Sequence, residues 1–114
     1  MKIDTKNDNG VAVVEISGKL IIGRGDVALR AALKELMDAG ERRILFDMTG
    51  VSYMDSAGLG AVVACSRKAR ERGGLLKVVT LPDGKAHTLF TVTGLTRVFE
   101  IFVDRRTALD SFGG

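Results

Sequence analysis

The run Arg43-Ile44-Leu45-Phe46-Asp47-Met48 constrains the fold of this chain more than any other stretch. A strand with water on one face alternates apolar and polar residues, whereas a nearly unbroken apolar run belongs to a strand covered on both faces. Such strands sit inside parallel sheets flanked by helices. The rest of the sequence supplies the matching parts. A helical stripe of Leu29, Leu33, Leu36 and Met37 precedes the run, and a second one of Leu59, Val62, Val63, Ser66 and Ala69 follows it. Strand and helix alternate with spacings suited to right-handed crossovers.

Element boundaries follow from the punctuation. Lys2–Asn7 and Val11–Ser17 read as strands joined by the tight turn Asn7-Asp8-Asn9-Gly10. In the second strand Ala12, Val14 and Ile16 share one face, with Val11, Val13 and Glu15 on the other. Gly18-Lys19-Leu20 leads into a loop around Gly23-Arg24-Gly25, and Asp26 is placed to cap a helix over Val27–Ala39 that Gly40 ends. After the Arg43–Met48 strand, a helix runs from near Ala57 to about Arg72 and stops at Gly73-Gly74. Leu75–Thr80 is the next strand, Pro82-Asp83-Gly84 a turn, and Lys85–Thr93 a short helix ending at Gly94. Val98–Val103 supplies the last strand, and Asp104 caps a final helix through Asp110. The expected fold is a single α/β domain over residues 1–114, a mixed sheet of four to five strands with helices packed against it.

At 114 residues such a domain closes a core without disulfide or metal. Cys65 is the only cysteine, which excludes an internal disulfide and suits a reducing compartment. No apolar run approaches the roughly 20 residues of a membrane span. Met1-Lys2-Ile3-Asp4-Thr5-Lys6 lacks the apolar stretch of a signal peptide, so a cytoplasmic location is expected. The net charge of +3 is mild. Its excess lies in Arg67–Arg72 and Arg105-Arg106, with no interleaved aromatics, and nucleic-acid binding is not expected.

Chemistry concentrates at Tyr53-Met54-Asp55-Ser56-Ala57-Gly58-Leu59-Gly60. An Asp-Ser pair falls at a strand-to-helix turn, where open N–H groups and the helix dipole favour negative charge. A hydroxyl there either caps the helix or accepts a phosphoryl group. Gly58 and Gly60 argue for more than capping, because each costs about 1 kcal/mol relative to alanine inside a helix. Small residues leave the backbone bare for the close approach of another surface. Tyr53 and Met54 are expected to anchor the turn in the core. Strand-to-helix turns of this kind place ligands and partners at the carboxyl ends of parallel strands, and the Gly23-to-Asp26 loop is expected on the same rim.

The stretch Val51–Gly60 resembles the signature of the STAS domain of bacterial anti-sigma factor antagonists, and Gly18-Lys19-Leu20, the Arg43–Met48 strand and the Gly73-Gly74-Leu75 junction fit the same pattern. The resemblance implies a phosphorylation-switched binding module rather than an enzyme. In that family the serine after the aspartate, here Ser56, is phosphorylated by an anti-sigma factor with serine/threonine kinase activity. The unphosphorylated form binds that partner and frees a sigma factor, and a PP2C-type phosphatase restores binding. The partner surface carried over is Gly23, Arg24, Gly25 and Asp26 together with Asp55, Ser56, Ala57, Gly58, Leu59 and Gly60. No cofactor, metal or membrane partner is implied, and a monomer is expected.

Two positions depart from the family pattern. Ile21 follows Leu20 where many members carry an acid, leaving Asp26 either to stand in for that acid or only to cap its helix, and Ala57 occupies a place often held by a second hydroxyl residue. Rival readings are thinner. Asp55-Ser56-Ala57-Gly58 is not the G-x-S-x-G elbow of a hydrolase, no P-loop lysine follows the glycines, and His87 is the sole histidine. A receiver domain using Asp47 at a strand end lacks its acidic pair, since Asp4 and Asp8 do not form one. The alternative that stays open is a STAS scaffold that is never phosphorylated and serves a signalling or lipid-transport complex.

Overall fold

The structure, a computed structural model, describes residues 1–95 and 99–113. Its sheet has five strands in the order β1 (Lys2–Asp8), β2 (Val11–Leu20), β3 (Arg43–Met54), β4 (Leu75–Val79) and β5 (Ile101–Phe102). β1 and β2 are antiparallel, and every later pairing is parallel. The hairpin turn has positive φ at both Asn9 (51°) and Gly10 (86°), the geometry whose twist matches that of paired strands. The Asn7 side chain accepts from the Gly10 N–H at 3.2 Å and closes it.

Helices α1 (Gly25–Asp38), α2 (Ser56–Glu71) and α3 (Lys85–Val92) cover one face of the sheet. Their apolar stripes meet Val14 and Ile16 of β2, Ile44, Phe46 and Met48 of β3, and Leu76 and Val78 of β4. The short helix α4 (Arg105–Asp110) covers the opposite face, over Val11, Val13, Leu45 and Val79. β3 is thus sandwiched on both sides, as its unbroken apolar sequence demands. α1 and α2 lie side by side and point the same way, because both descend from the carboxyl rim of the sheet. Each ends in a left-handed glycine. Gly40 N–H donates to Met37 O and Glu41 N–H to Leu36 O after α1; Gly73 N–H donates to Arg70 O and Gly74 N–H to Ala69 O after α2.

Several boundaries differ from the sequence reading. β3 continues six residues past Met48 to Met54, and β2 takes in Gly18-Lys19-Leu20, with irregular register between Glu15 and Ser17 and again between Gly18 and Lys19. Those irregularities absorb glycine at positive φ (Gly18, 89°) without ending the strand. Asp26 is not the cap of α1. The helix begins at Gly25 behind Arg24, and Asp26 Oδ1 instead accepts from the N–H groups of Gly23 (2.8 Å) and Val27 (2.9 Å). The last strand is only Ile101–Phe102; Val98 lies outside the described residues. Asp104 does cap α4, accepting from Thr107 N–H at 2.9 Å. Asp47 lies inside β3 rather than at its end, where Arg105 and Thr49 hold its carboxylate.

Candidate functional site

The carboxyl rim of the parallel strands is organised around one backbone carbonyl. Leu20, the last residue of β2, is fully buried, and its C=O accepts from Asp55 N–H at 3.3 Å. A Cβ on Gly58 would overlap that same oxygen, and one on Gly25 would sit 3.0 Å from the Leu20 Cα. Neither glycine has positive φ, so turn geometry does not require them. Both are needed because the first turns of α1 and α2 close on Leu20 from two sides.

Asp55 fastens this arrangement. It is the N-cap of α2, in extended backbone, and its Oδ1 accepts from Gly58 N–H at 2.8 Å. Its other oxygen, Oδ2, accepts from Ile22 N–H at 3.0 Å, across 33 residues of sequence. One carboxylate therefore caps a helix and ties the β2–α1 loop to it. These N–H donors, from Gly58 first and then Ile22, hold the Asp55 carboxyl below its usual range. The loop itself is closed by the Asp26 contacts with Gly23 and Val27. The structure brings together the two segments that the sequence placed on one rim.

With Asp55 as cap, Ser56 is the first residue of α2 and is exposed. Its hydroxyl is not the capping group, which corrects the simpler reading of the Asp-Ser pair. The cap position was already filled by the residue before it, and that leaves the serine oxygen uncommitted at the positive end of a 16-residue helix. The residue beside it, Ala57, has no hydroxyl, so Ser56 carries the hydroxyl of this turn. Of the ten residues read as partner surface, Gly23, Arg24, Ser56 and Gly60 are exposed; Asp26, Asp55 and Ala57 are half-buried. Gly25, Gly58 and Leu59 are buried and support the rim from inside. Gly60 alone of the two α2 glycines faces open space.

Tyr53 does not anchor the turn. It is 49% exposed at the end of β3, while Met54 beside it is buried, because successive residues of a strand point to opposite sides. Tyr53, Ile22 (71% exposed) and Val27 (59%) are large side chains left exposed on the segments that border the rim, which residue-by-residue reading missed. The signal was present in Ile22, a large aliphatic side chain in a glycine-punctuated loop. Among the described residues no cluster of histidine, cysteine and carboxylate side chains is arranged to hold a metal ion. No helix there is long and apolar enough to cross a membrane.

A five-stranded mixed sheet with an antiparallel leading hairpin, three helices on one face and a hydroxyl at the start of the second helix defines a small α/β class. The STAS domain family matches residues 2–108, and the chain belongs to it. An anti-sigma-B factor antagonist of Bacillus subtilis (strain 168) is 33% identical over 102 residues, covering 89% of this chain and 90% of that protein. An anti-sigma F factor antagonist of Paenibacillus polymyxa is 24% identical over 110 residues, covering 96% and 92%. Among solved structures, an anti-sigma factor antagonist from Mycobacterium paratuberculosis has the same fold at a TM-score of 0.82 and 24% identity, covering 96% of this chain and 92% of that one. The phosphorylated form of the Bacillus cell fate determinant SpoIIAA superposes at 0.73 with 19% identity, covering 98% and 100%.

Proposed function

We propose that this chain is an anti-sigma factor antagonist, a binding module switched by phosphorylation of Ser56. In its unmodified form it would dock an anti-sigma factor with serine/threonine kinase activity on the rim formed by the β2–α1 loop and the start of α2, and so release a sigma factor. Transfer of the γ-phosphoryl group of ATP to the Ser56 oxygen, with loss of its proton and departure of ADP, would end docking. A PP2C-type phosphatase would hydrolyse the ester and restore it.

The observation that carries this reading is an exposed serine hydroxyl, free of any capping duty, on a first helical turn that Asp55 holds rigidly. Phosphorylation adds about −1.5 to −2 charges and three acceptor oxygens. The helix dipole favours that charge by about 0.3–1 kcal/mol, so the fold would tolerate it. An interface closed over the apolar Ile22, Val27 and Tyr53 would not, since burying an unpaired dianion costs several kcal/mol and each 1.4 kcal/mol is tenfold in affinity.

The test is incubation of the protein with an anti-sigma factor kinase and ATP, phosphate mapping by mass spectrometry, and calorimetric titration of both forms. Phosphate on Ser56, absence of phosphate on Ser56→Ala, and affinity at least a hundredfold weaker for the phosphorylated form are expected. Docking of equal strength by both forms would favour a scaffold that is never switched.

A further inference from the structure

Away from the rim, the outer surface between α1 and α2 carries a groove of about 400 Å³ that the Ser56 switch does not use. Its floor is apolar, formed by Leu33 of α1 with Ala64 and Cys65 of α2. Leu33 and Cys65 are buried, and burial pushes the Cys65 thiol up to about 12, so the floor carries no charge. The rim is basic. Arg30 and Lys34 stand on the α1 side, Arg67 and Lys68 on the α2 side, and all four are exposed.

Lys34 is neutralised by Asp38, which also pairs with Arg72, each at 2.8 Å. Arg30, Arg67 and Lys68 have no carboxylate within ion-pairing distance among the described residues, and Glu71 is the single acid on the groove's edge. Cations at the C-terminal end of α2 complement its dipole, which accounts for Lys68 in part. The same argument does not reach Arg30, which lies in the second turn of α1, far from that helix's C-terminal end. A concave apolar floor under three unpaired cations is the complement of a segment that is acidic on its edges and apolar along its centre.

We propose that this groove is a second docking surface, and that its occupant is an acidic amphipathic helix of a partner protein. A bilayer is disfavoured by the concave shape and by the lack of large exposed apolar side chains on the groove's rim; the exposed ones lie elsewhere, Val27 at the start of α1 included. Nucleic acid is disfavoured because no aromatic side chain lines the groove to stack on a base. The site is independent of the switch, since Ser56 and Arg67 are eleven residues apart on one helix, about 16 Å along its axis.

The experiment uses the full chain and a fluorescein-labelled 16-residue helical peptide with glutamates flanking a leucine stripe, against a scrambled isomer of identical composition. Fluorescence anisotropy gives affinities, and amide chemical-shift mapping on the unsubstituted protein gives the location. The ordered peptide should bind at least tenfold tighter than its isomer, with shifts centred on Leu33, Ala64 and Cys65. The Arg67→Glu/Lys68→Glu protein should lose at least tenfold, whereas Lys19→Glu/Lys85→Glu, an equal change in net charge elsewhere, should lose less than twofold. Ser56→Asp should leave the affinity within twofold, so a failure of the switch and a failure of the groove are read separately. Equal binding of both isomers, equal losses in both charge variants, or shifts centred elsewhere would overturn the proposal. So would groove-dependent binding of phosphatidylglycerol vesicles or duplex DNA in place of the peptide.

Discussion

Two glycines two residues apart on α2, Gly58 and Gly60, do opposite work. Gly58 is buried where its missing side chain lets α2 close on the Leu20 carbonyl, whereas Gly60 faces open space. Gly58→Ala must therefore push the helix start off β2, an overpacking cost of about 1–3 kcal/mol. Gly60→Ala meets nothing, removes backbone entropy from the unfolded chain, and should stabilise by about 0.5–1 kcal/mol. Urea denaturation of the two single variants checks both signs. If alanine at 58 is neutral, the rim is not built on that close approach. The sequence showed two glycines at equal helical cost and assigned both to a bare docking surface. Which one is internal depends on where Leu20 lies, and a residue 38 positions upstream is invisible to a local reading.

At the scale of elements, the fourth helix shows what a linear pattern conceals. Hairpin, crossover helices and central strands were legible because each has a period or a turn residue of its own. The side of the sheet on which α4 lies was not. It is settled by side chains from four distant segments: Arg105 donates to Glu15 Oε2 at 2.7 Å and Asp47 Oδ2 at 3.1 Å, and Lys77 donates to Ser111 O at 3.0 Å and stands 4.6 Å from the centroid of the Phe112 ring. Glu15 and Asp47 are register partners on β2 and β3, so two carboxylates are presented side by side to one guanidinium. The receiver-domain reading, set aside for want of an acidic pair, puts Asp47 at a strand end; it lies inside β3, held by Arg105. Arg105→Ala should cost about 1–2 kcal/mol, toward the low end for charged hydrogen bonds because Arg105 is one-third exposed. Hydrogen exchange should then quicken in α4 before it does in α1 or α2. Uniform quickening across all helices would mean that α4 is no separable unit.

Across the whole molecule the ionisable groups set a pH window for the fold, and its two edges have different owners. Glu15, Asp38, Asp55 and Asp104 all have carboxyls held below their usual range, Glu15 by Arg105 and Lys6, Asp38 by Lys34 and Arg72, Asp55 by backbone N–H groups, Asp104 by Thr107. A depressed carboxyl binds fewer protons folded than unfolded, so its stabilisation is present above the unfolded value of about 4 and disappears as pH falls through the folded one. Cys65 gives the opposite edge. Burial raises its thiol to about 12, so the folded chain keeps a proton that the unfolded chain releases above about 8.5, and stability falls as pH climbs from there. Thermal midpoints should therefore be flat between about pH 5 and 8 and drop on both sides. Cys65→Ala should flatten the alkaline flank and leave the acid one unchanged, while Asp55→Asn should lower the midpoint at pH 7 and make the acid flank shallower. An alkaline flank of equal steepness in Cys65→Ala would assign that edge to another group. The plateau spans the pH at which a serine phosphate takes up its second charge, near 6, so the switch proposed for Ser56 would operate where none of these groups is changing protonation and the fold is indifferent to it.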